Sequence, residues 1–509
     1  MRSSLSLVAK TGVLLATGSL AIQTKAPGGG ANTRVRTQSK SWMQKWSSSP
    51  ATKLAIGAAA SLGMLSNAAA VSANSQGARV TPEENQNALM NIAGSETAMA
   101  DAFHTFAAKF NKPYVSVVEA SGFASASSYD SAVDEAPKET SHQGIVFKPA
   151  PGMEQEYLDR RNIFEDNIKK AIMENMKSEG SNNIDRARFG ITKFMDQTSE
   201  EFAKKFLGLA VTDEAKKEVL GKFGKIDSSS PASSSTAKYF MKPKSTMKAL
   251  LPSGSKDWVE AGMTTDVKDQ GQCGSCWAFS TVEQLESMAR IEGITSDFIG
   301  SPQELVSCDH HGDEGCNGGL PVNAYEWLEG KPLESETDYP YMSGITRQTG
   351  KCTMDKSLGE FKVVSYKTVA EDSLDEPKLV DYLLSSGPLS IGVDATQWQL
   401  YTGGMMDADQ CNAEQLDHAV QVVKYTGSDD SANGPYYTVR NSWNTDWGED
   451  GFIRLTAGED TCMLTGMATT VDVEAVSKEG PADVKTPGVT IEELTDEDVD
   501  MLKENTMVV

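Results

Sequence analysis

No acidic residue occurs in the first 82 of the chain's 509 positions, and no cysteine occurs outside 273–462. The first absence sets a leader apart, because those 82 positions hold nine Lys or Arg while the rest of the chain holds 38 basic and 71 acidic residues. Such a segment is addressing information rather than fold. The second absence confines any disulfide or thiol chemistry to one stretch. Long apolar runs are missing too. Two weakly apolar stretches, about 4–21 and 54–71, fall short of a membrane span, so no stable span is expected in the mature form. Positive charge is scarce where the cysteines lie: segment 251–475 has 13 Lys or Arg against 38 Asp or Glu. That surface suits solubility and excludes nucleic acid as a partner.

Within the leader, the second run ends in Val71, Ser72 and Ala73, which resembles a signal-peptidase site. Met43 is an alternative start that makes 43–73 a conventional signal peptide. A two-part organelle leader and a transit peptide stay open. Positions 1–82 are read as the targeting region, 83–250 as a pro-region, 251–475 as the cysteine-bearing core and 476–509 as a disordered acidic tail.

The most informative residue present is Cys276. Trp277, Phe279, Val282, Leu285, Met288 and Ile291 follow it at helical spacing, whereas the Gly- and Gln-rich stretch before it cannot be helical. A thiol at the first turn of a helix has its pKa lowered and becomes a nucleophile. A buried structural cysteine is the plain alternative for such a residue alone. The count argues against it, since seven cysteines in an oxidising compartment leave one thiol over. Which six pair is not derivable, because six cysteines allow fifteen pairings.

The motifs then line up in order. Gln270 to Ser280 surrounds the nucleophile candidate, Ser301 to Cys308 forms a helix and cysteine anchor, and Gly315 to Gly319 forms a glycine loop. Leu416 to Val423 alternates like a strand and contains His418, and Arg440 to Gly451 contains Asn441, Trp443 and Trp447. Segment 251–475 resembles a papain-family cysteine peptidase of the cathepsin L type. The resemblance implies an α+β fold with a helical lobe bearing Cys276, a β-rich lobe bearing His418 and Asn441, and a cleft between them. It also implies disulfides Cys273 with Cys316, Cys308 with Cys352 and Cys411 with Cys462, leaving Cys276 free. In that pattern Cys276 attacks as a thiolate, His418 is the imidazolium partner, Asn441 orients it, and Gln270 meets the oxyanion. Gly318, Gly319 and Asp417 hold the substrate backbone, while Trp443 covers the site. Leu320, Pro321, Leu416, Ala419 and Met467 line an apolar pocket for the second residue before the cleaved bond (P2). No cofactor and no metal are implied.

Five histidines occur, of which His104 and His142 lie upstream in the pro-region. His310 and His311 sit in a short loop between Cys308 and Cys316. They read as a solvated loop, too short for the histidine-bearing loop of a dipeptidyl carboxypeptidase, so an endopeptidase is expected. A zinc site from Cys308, His310, His311 and Cys316 fails because adjacent histidines point apart and zinc ligands come as spaced pairs. The sequence departs from the family at Lys424, Asn444 and Asp446, where glycine-containing stretches are usual. Asn444 suits a left-handed position.

Upstream, Glu156, Arg160, Phe164, Asn167, Ala171 and Asn175 form one stripe down a helix, with Glu156 and Arg160 at ion-pairing distance. The stripe resembles the ERFNIN signature of cathepsin L-type pro-regions, with Ala171 where Ile is usual. Gly190 to Phe202 resembles the second signature, with Thr192 for Asn, and Phe103 to Tyr114 resembles the first pro-helix, giving an inhibitor domain of about 100–208. A Ser/Ala/Gly-rich stretch near 119–152 reads as a flexible insertion. The resemblance therefore implies a latent proenzyme inhibited by its own pro-region, acting on proteins and peptides, monomeric when mature, on a secretory or endolysosomal route (lysosome, vacuole or outside the cell). Acid activation with a cut between 225 and 252 is expected. The rival readings are a catalytically silent, inhibitor-like homologue, a storage protein and a transferase using the same acyl-enzyme.

Overall fold

The computed structural model describes residues 81–119, 140–142, 145–177, 185–209, 248, 250–355 and 357–476. The readings of the leader, of residues 120–139, of the expected cut between 225 and 247, and of the tail from 477 lie outside the described residues.

The pro-region opens with α1 (Pro82–Ala93) and α2 (Glu96–Lys109). Helix α1 lies just past the leader, where no helix was expected. Its start is nonetheless written locally: Thr81 caps the Glu84 N–H, the Glu84 carboxylate caps Thr81, and Pro82 fills the first turn. Helix α2 stops at Lys109, short of Tyr114, because Asn111 turns left-handed at φ 47° just before Pro113. The insertion needs correction as well. Residues Val115–Glu119 (β1), Thr140–His142 (β2) and Ile145–Pro149 (β3) form a three-stranded antiparallel sheet in the order β1-β3-β2. Phe147 stacks on the buried His104 of α2 at 4.9 Å, which gives the end of the insertion a packing partner.

Helix α3 (Glu154–Lys177) buries Tyr157, Phe164, Ile168, Ala171 and Ile172 on one face. The polar members of the stripe clamp the chain beyond it. Asn167 donates to Met195 O and Gln197 O, both at 2.9 Å, and Asn175 exchanges two hydrogen bonds with the Phe189 backbone. Arg160 pairs with Glu156 at 2.6 Å and with Glu201 of α4 (Ser199–Phe206), reaching Oε1 at 2.9 Å. Between α3 and α4, β4 (Arg188–Phe189) adds itself to β8 (Tyr401–Gly403) of the core. The pro-region and the β-rich lobe thus share one hydrophobic core.

That lobe is a mixed sheet of β6 (Phe361–Ala370), β13 (Ala468–Ala475), β7 (Leu389–Val393), β10 (His418–Thr426), β11 (Tyr436–Arg440), β12 (Phe452–Thr456) and β9 (Met405–Met406), in that order. Strand β5 (Lys256–Asp257) pairs with β10. The other lobe packs α6 (Pro302–Cys308) and α7 (Pro321–Leu328) against α5 (Cys276–Ile291), short α8 (Ser343–Thr346) is bonded to Gln303 of α6, and α9 (Glu376–Ser385) flanks the sheet. A separate core of Trp277, Phe279, Val282, Leu305, Tyr325 and their neighbours fills this lobe. The result is an α+β, papain-like two-lobed fold with a helical pro-region. Two family departures find local reasons. Lys424 sits at an irregularity in the β10–β11 register and pairs with Asp257 at 2.9 Å, and Asn444 is left-handed at φ 61°.

Candidate active site

Cys276 is the first residue of α5, and the helix start is unusually unspent. Ser275 makes no side-chain cap, and no carboxylate occupies the first turn. The Ser275 hydroxyl instead meets Tyr341 Oη at 2.7 Å. The N–H groups and positive end of the helix are therefore available to the sulfur. Across the cleft, His418 opens β10, and its Nε2 lies 2.8 Å from Asn441 Oδ1, at the residue after β11. Its Nδ1 is buried and has no hydrogen-bond partner among the described residues. With Nε2–H donating to Asn441, Nδ1 is left as an acceptor. Trp443 stacks on the His418 ring at 4.7 Å, and its indole N–H donates to Gln270 Oε1 at 3.1 Å. Ser442 Oγ donates to the same oxygen, so the amide of Gln270 is turned with its NH₂ outward.

Three disulfides join Cys273–Cys316, Cys308–Cys352 and Cys411–Cys462, and Cys276 is free and buried. The first bridge ties the nucleophile loop to the glycine loop. His310 and His311 lie in the exposed loop after α6, where His311 Nε2 is 3.4 Å from Glu326.

The cleft is occupied by the chain's own pro-segment. Gln270 Nε2 donates to Phe206 O at 3.2 Å as well as to Cys273 O at 3.0 Å. Gly319 N–H donates to Gly208 O at 3.1 Å, and Leu209 N–H donates to Asp417 O at 3.0 Å. Residues 206–209 therefore bond to both walls of the cleft. The Leu209 side chain is buried in a cluster with Cys276, Leu320, Val322, Ala419 and Met467, against which Leu416 packs. Val322 was not anticipated; it faces inward from the first turn of α7, whose first residue is the buried Pro321. Gly318, at φ 124°, turns the loop so that Gly319 can present its N–H.

Burial changes the acid–base state expected from sequence. It pushes the Cys276 thiol up to about 12, against the opposing pull of the Ala419, Gly208 and Trp277 backbone N–H groups, with Asp417 adding to the rise. It drives His418 down to about 4, although the bond to Asn441 favours its charged form. A helix terminus contributes partial charges only. Excluding water from each group outweighs it, so this form holds a neutral thiol and a neutral imidazole.

Sequence reasoning also missed the aromatic seat of the pro-region. Phe194 and Phe202 meet Trp443 edge-on at 5.2 and 5.3 Å, and Phe206 packs on Phe194 at 4.6 Å. Lys193 beside them reaches Asp446 at 3.2 Å, at one of the departures from the family. The recurrence of Phe at 194, 202 and 206 was visible, but its partner across the interface was not.

Comparison with known proteins identifies the two domains. Residues 252–471 match the papain family cysteine protease domain, and residues 153–202 match the cathepsin propeptide inhibitor domain. Cysteine proteinase 1 of Dictyostelium discoideum is 33% identical over 62% of this chain and 87% of its own length. The probable cysteine protease RD19D of Arabidopsis thaliana is 33% identical over 64% of this chain and 82% of its own. The proform of the ragweed pollen cysteine protease Amb a 11 shares the fold, with a TM-score of 0.51 at 23% identity over 75% of this chain and 96% of that one. The chain belongs to the papain family of cysteine proteases, as a cysteine peptidase carrying its own propeptide inhibitor domain.

Proposed function

We propose that the protein is a latent endopeptidase of the cathepsin L type, freed by acid and selective for an apolar P2 residue. Cys276 is the nucleophile, His418 the base and then the acid, Asn441 the residue that orients it, and Gln270 with the Cys276 N–H the oxyanion donors. The observation that carries this reading is the threading of residues 206–209. A peptide backbone already lies bonded to Gln270, Gly319 and Asp417, with a leucine in the apolar cluster.

Once the segment leaves and water returns, the burial penalties on thiolate and imidazolium relax together, and the proton of Cys276 passes to His418 Nδ1. The thiolate attacks the scissile carbonyl carbon. The oxyanion that forms gains about 2.7–4 kcal/mol from each well-placed donor. His418 returns the proton to the amine as the C–N bond breaks, leaving a thioester on Cys276. His418 then takes a proton from water, whose oxygen displaces the thiolate and releases the carboxylic acid. Leu320, Val322, Leu416, Ala419 and Met467 give the pocket an apolar wall, against which a guanidinium would lose its hydration. Three disulfides support a secretory or endolysosomal route.

The test is acid treatment of the purified full chain, labelling with an epoxysuccinyl thiol-peptidase inhibitor and mass mapping, alongside positional peptide profiling. Label on Cys276, lost in Cys276→Ala together with all turnover, and cleavage of peptides that carry Leu, Phe, Val or Met at P2 are expected. Full turnover by Cys276→Ala would refute the mechanism, and dominant Arg at P2 would refute the pocket.

A further inference from the structure

Beneath the glycine loop lies a carboxyl pair that the steps above do not use. Asp309, immediately after α6, is fully buried, and Asp313 is 4% exposed. One oxygen of each has ordinary partners. Asp313 Oδ1 accepts the Leu320 N–H at 2.8 Å and Asn323 Nδ2 at 3.1 Å, and Asp309 Oδ1 accepts the His311 N–H at 2.8 Å. The Oδ2 atoms of both are buried and receive no N–H or hydroxyl among the described residues. The two carboxyl groups act directly on each other, and a proton shared between them would satisfy both stranded oxygens.

The pair touches the parts of the loop that meet substrate. A Cβ on Gly319 would stand 2.6 Å from Asp313 Oδ1, so that carboxyl lies directly against the backbone that donates to Gly208 O. Leu320, which Asp313 fixes, forms a wall of the cluster around Leu209. The surrounding charges are few. Lys331, past α7, and His311 of the loop itself act on Asp309. Glu326 of α7 is engaged with His311, exposed Glu314 turns its N–H to Gly318 O, and α5 contributes the uncharged Trp277 indole.

We propose that Asp309 and Asp313 hold one proton between them and thereby position Gly319 and Leu320 against the substrate backbone. They are positioning residues for the peptidase reaction, and the inference rests on the reading of the cleft given above. Burial, and for Asp313 the charge of its partner, hold both carboxyls above the usual range. A raised carboxyl favours the protonated state at low pH and loses that advantage as pH rises. Loss of the shared proton in mildly alkaline solution leaves two buried anions in contact, and the loop they support gives way.

The experiment uses the full chain converted in acid, with KM and kcat for a peptide followed from about pH 5 to 9 per titrated active site. Wild-type KM is expected to rise about three- to tenfold across the alkaline half, the size of one weakened hydrogen bond. Asp313→Asn and Asp309→Asn each put a permanent donor between the two groups, so their KM no longer rises. Variants that track the wild-type KM at every pH overturn the proposal. A second measurement does not depend on turnover: the infrared difference between the full chain carrying Cys276→Ala and the same chain with Asp313→Asn added, at pH 7. A protonated-carboxyl band lost with Asp313 supports the pair, and its absence from the difference spectrum overturns it even if the protein cleaves nothing.

Discussion

At the scale of single residues, latency depends on how closely the pro-segment approaches the nucleophile. Gly208 has no side chain because none fits: a Cβ there would stand 2.1 Å from Gly274 O. Gly208→Ala must push the segment off the helix start, lengthening the bonds from Gly319 and to Asp417. Losing two such bonds and part of the Leu209 burial costs about 2–4 kcal/mol. We expect the variant proenzyme to react with a thiol label near neutral pH at least tenfold faster than wild type, and equal labelling rates would refute the close-approach account. None of this was legible in the sequence. Cys276, His418, Asn441 and Gln270 stand in motifs whose residue types belong to the chemistry, whereas Gly208 and Leu209 follow a short amphipathic helix as two unremarkable residues. Their meaning depends on a contact about 65 positions away in the chain, with Gly274. The same limit hid Val322, while Leu320, Pro321, Leu416, Ala419 and Met467 were placed by position within the family resemblance, and of these Pro321 is buried at the start of α7 outside the cluster around Leu209.

At the scale of elements, the stripe on α3 proves to be a set of clamps more than a face. Sequence spacing located the helix and the Glu156–Arg160 pair, since both follow from the 3.6-residue period. It gave no sign that Arg160 also donates to Asp196 O and grips Glu201 across to α4, nor that Asn167 holds the turn between. Those partners lie 28 to 41 residues away and meet only when α4 folds back. The strands β2 and β3 were missed for a related reason: a Ser/Ala/Gly-rich composition masks a short sheet whose partner, β1, precedes it by a long connection. Arg160 holds the Glu201 carboxyl below the usual range. Arg160→Ala removes that bond while α4 carries Phe202 and Phe206 onto the cleft, a loss of about 1–2 kcal/mol once partial exposure is allowed for. The midpoint pH of self-conversion should move upward in this variant, toward neutrality. An unmoved midpoint with a normally folded proenzyme would show that α4 is held without the clamp.

The whole molecule combines two opposite responses to pH. In the pro-segment interface, His418 is kept neutral, with a pKa near 4 against an ordinary 6.5. A histidine depressed in the closed state contributes its stability above about pH 6.5 and loses it as pH falls toward 4, a change of about 3 kcal/mol at most. Glu201, held low by Arg160, contributes above the ordinary carboxylate range and is likewise lost in acid. Acid therefore weakens the closed form twice over. The core responds the other way. Burial lifts Glu304, Glu336 and Glu376 to about 7 and Asp460 to about 6. A raised carboxyl contributes stability below its ordinary pKa and loses it as pH climbs through the raised value, so the core is firmest in acid. The proenzyme should stay intact near pH 7 and convert itself between about pH 4 and 5.5, with a cut between 225 and 252, whereas Cys276→Ala should not convert alone. The freed peptidase should then lose activity faster at about pH 8 than at pH 5, because its buried carboxyls are forced to ionise. Conversion as fast at pH 7.5 as at pH 4.5 would remove the first half of this account. A freed enzyme that outlasts at pH 8 its own lifetime at pH 5 would remove the second, since no reversal of that order is compatible with carboxyls buried as these are.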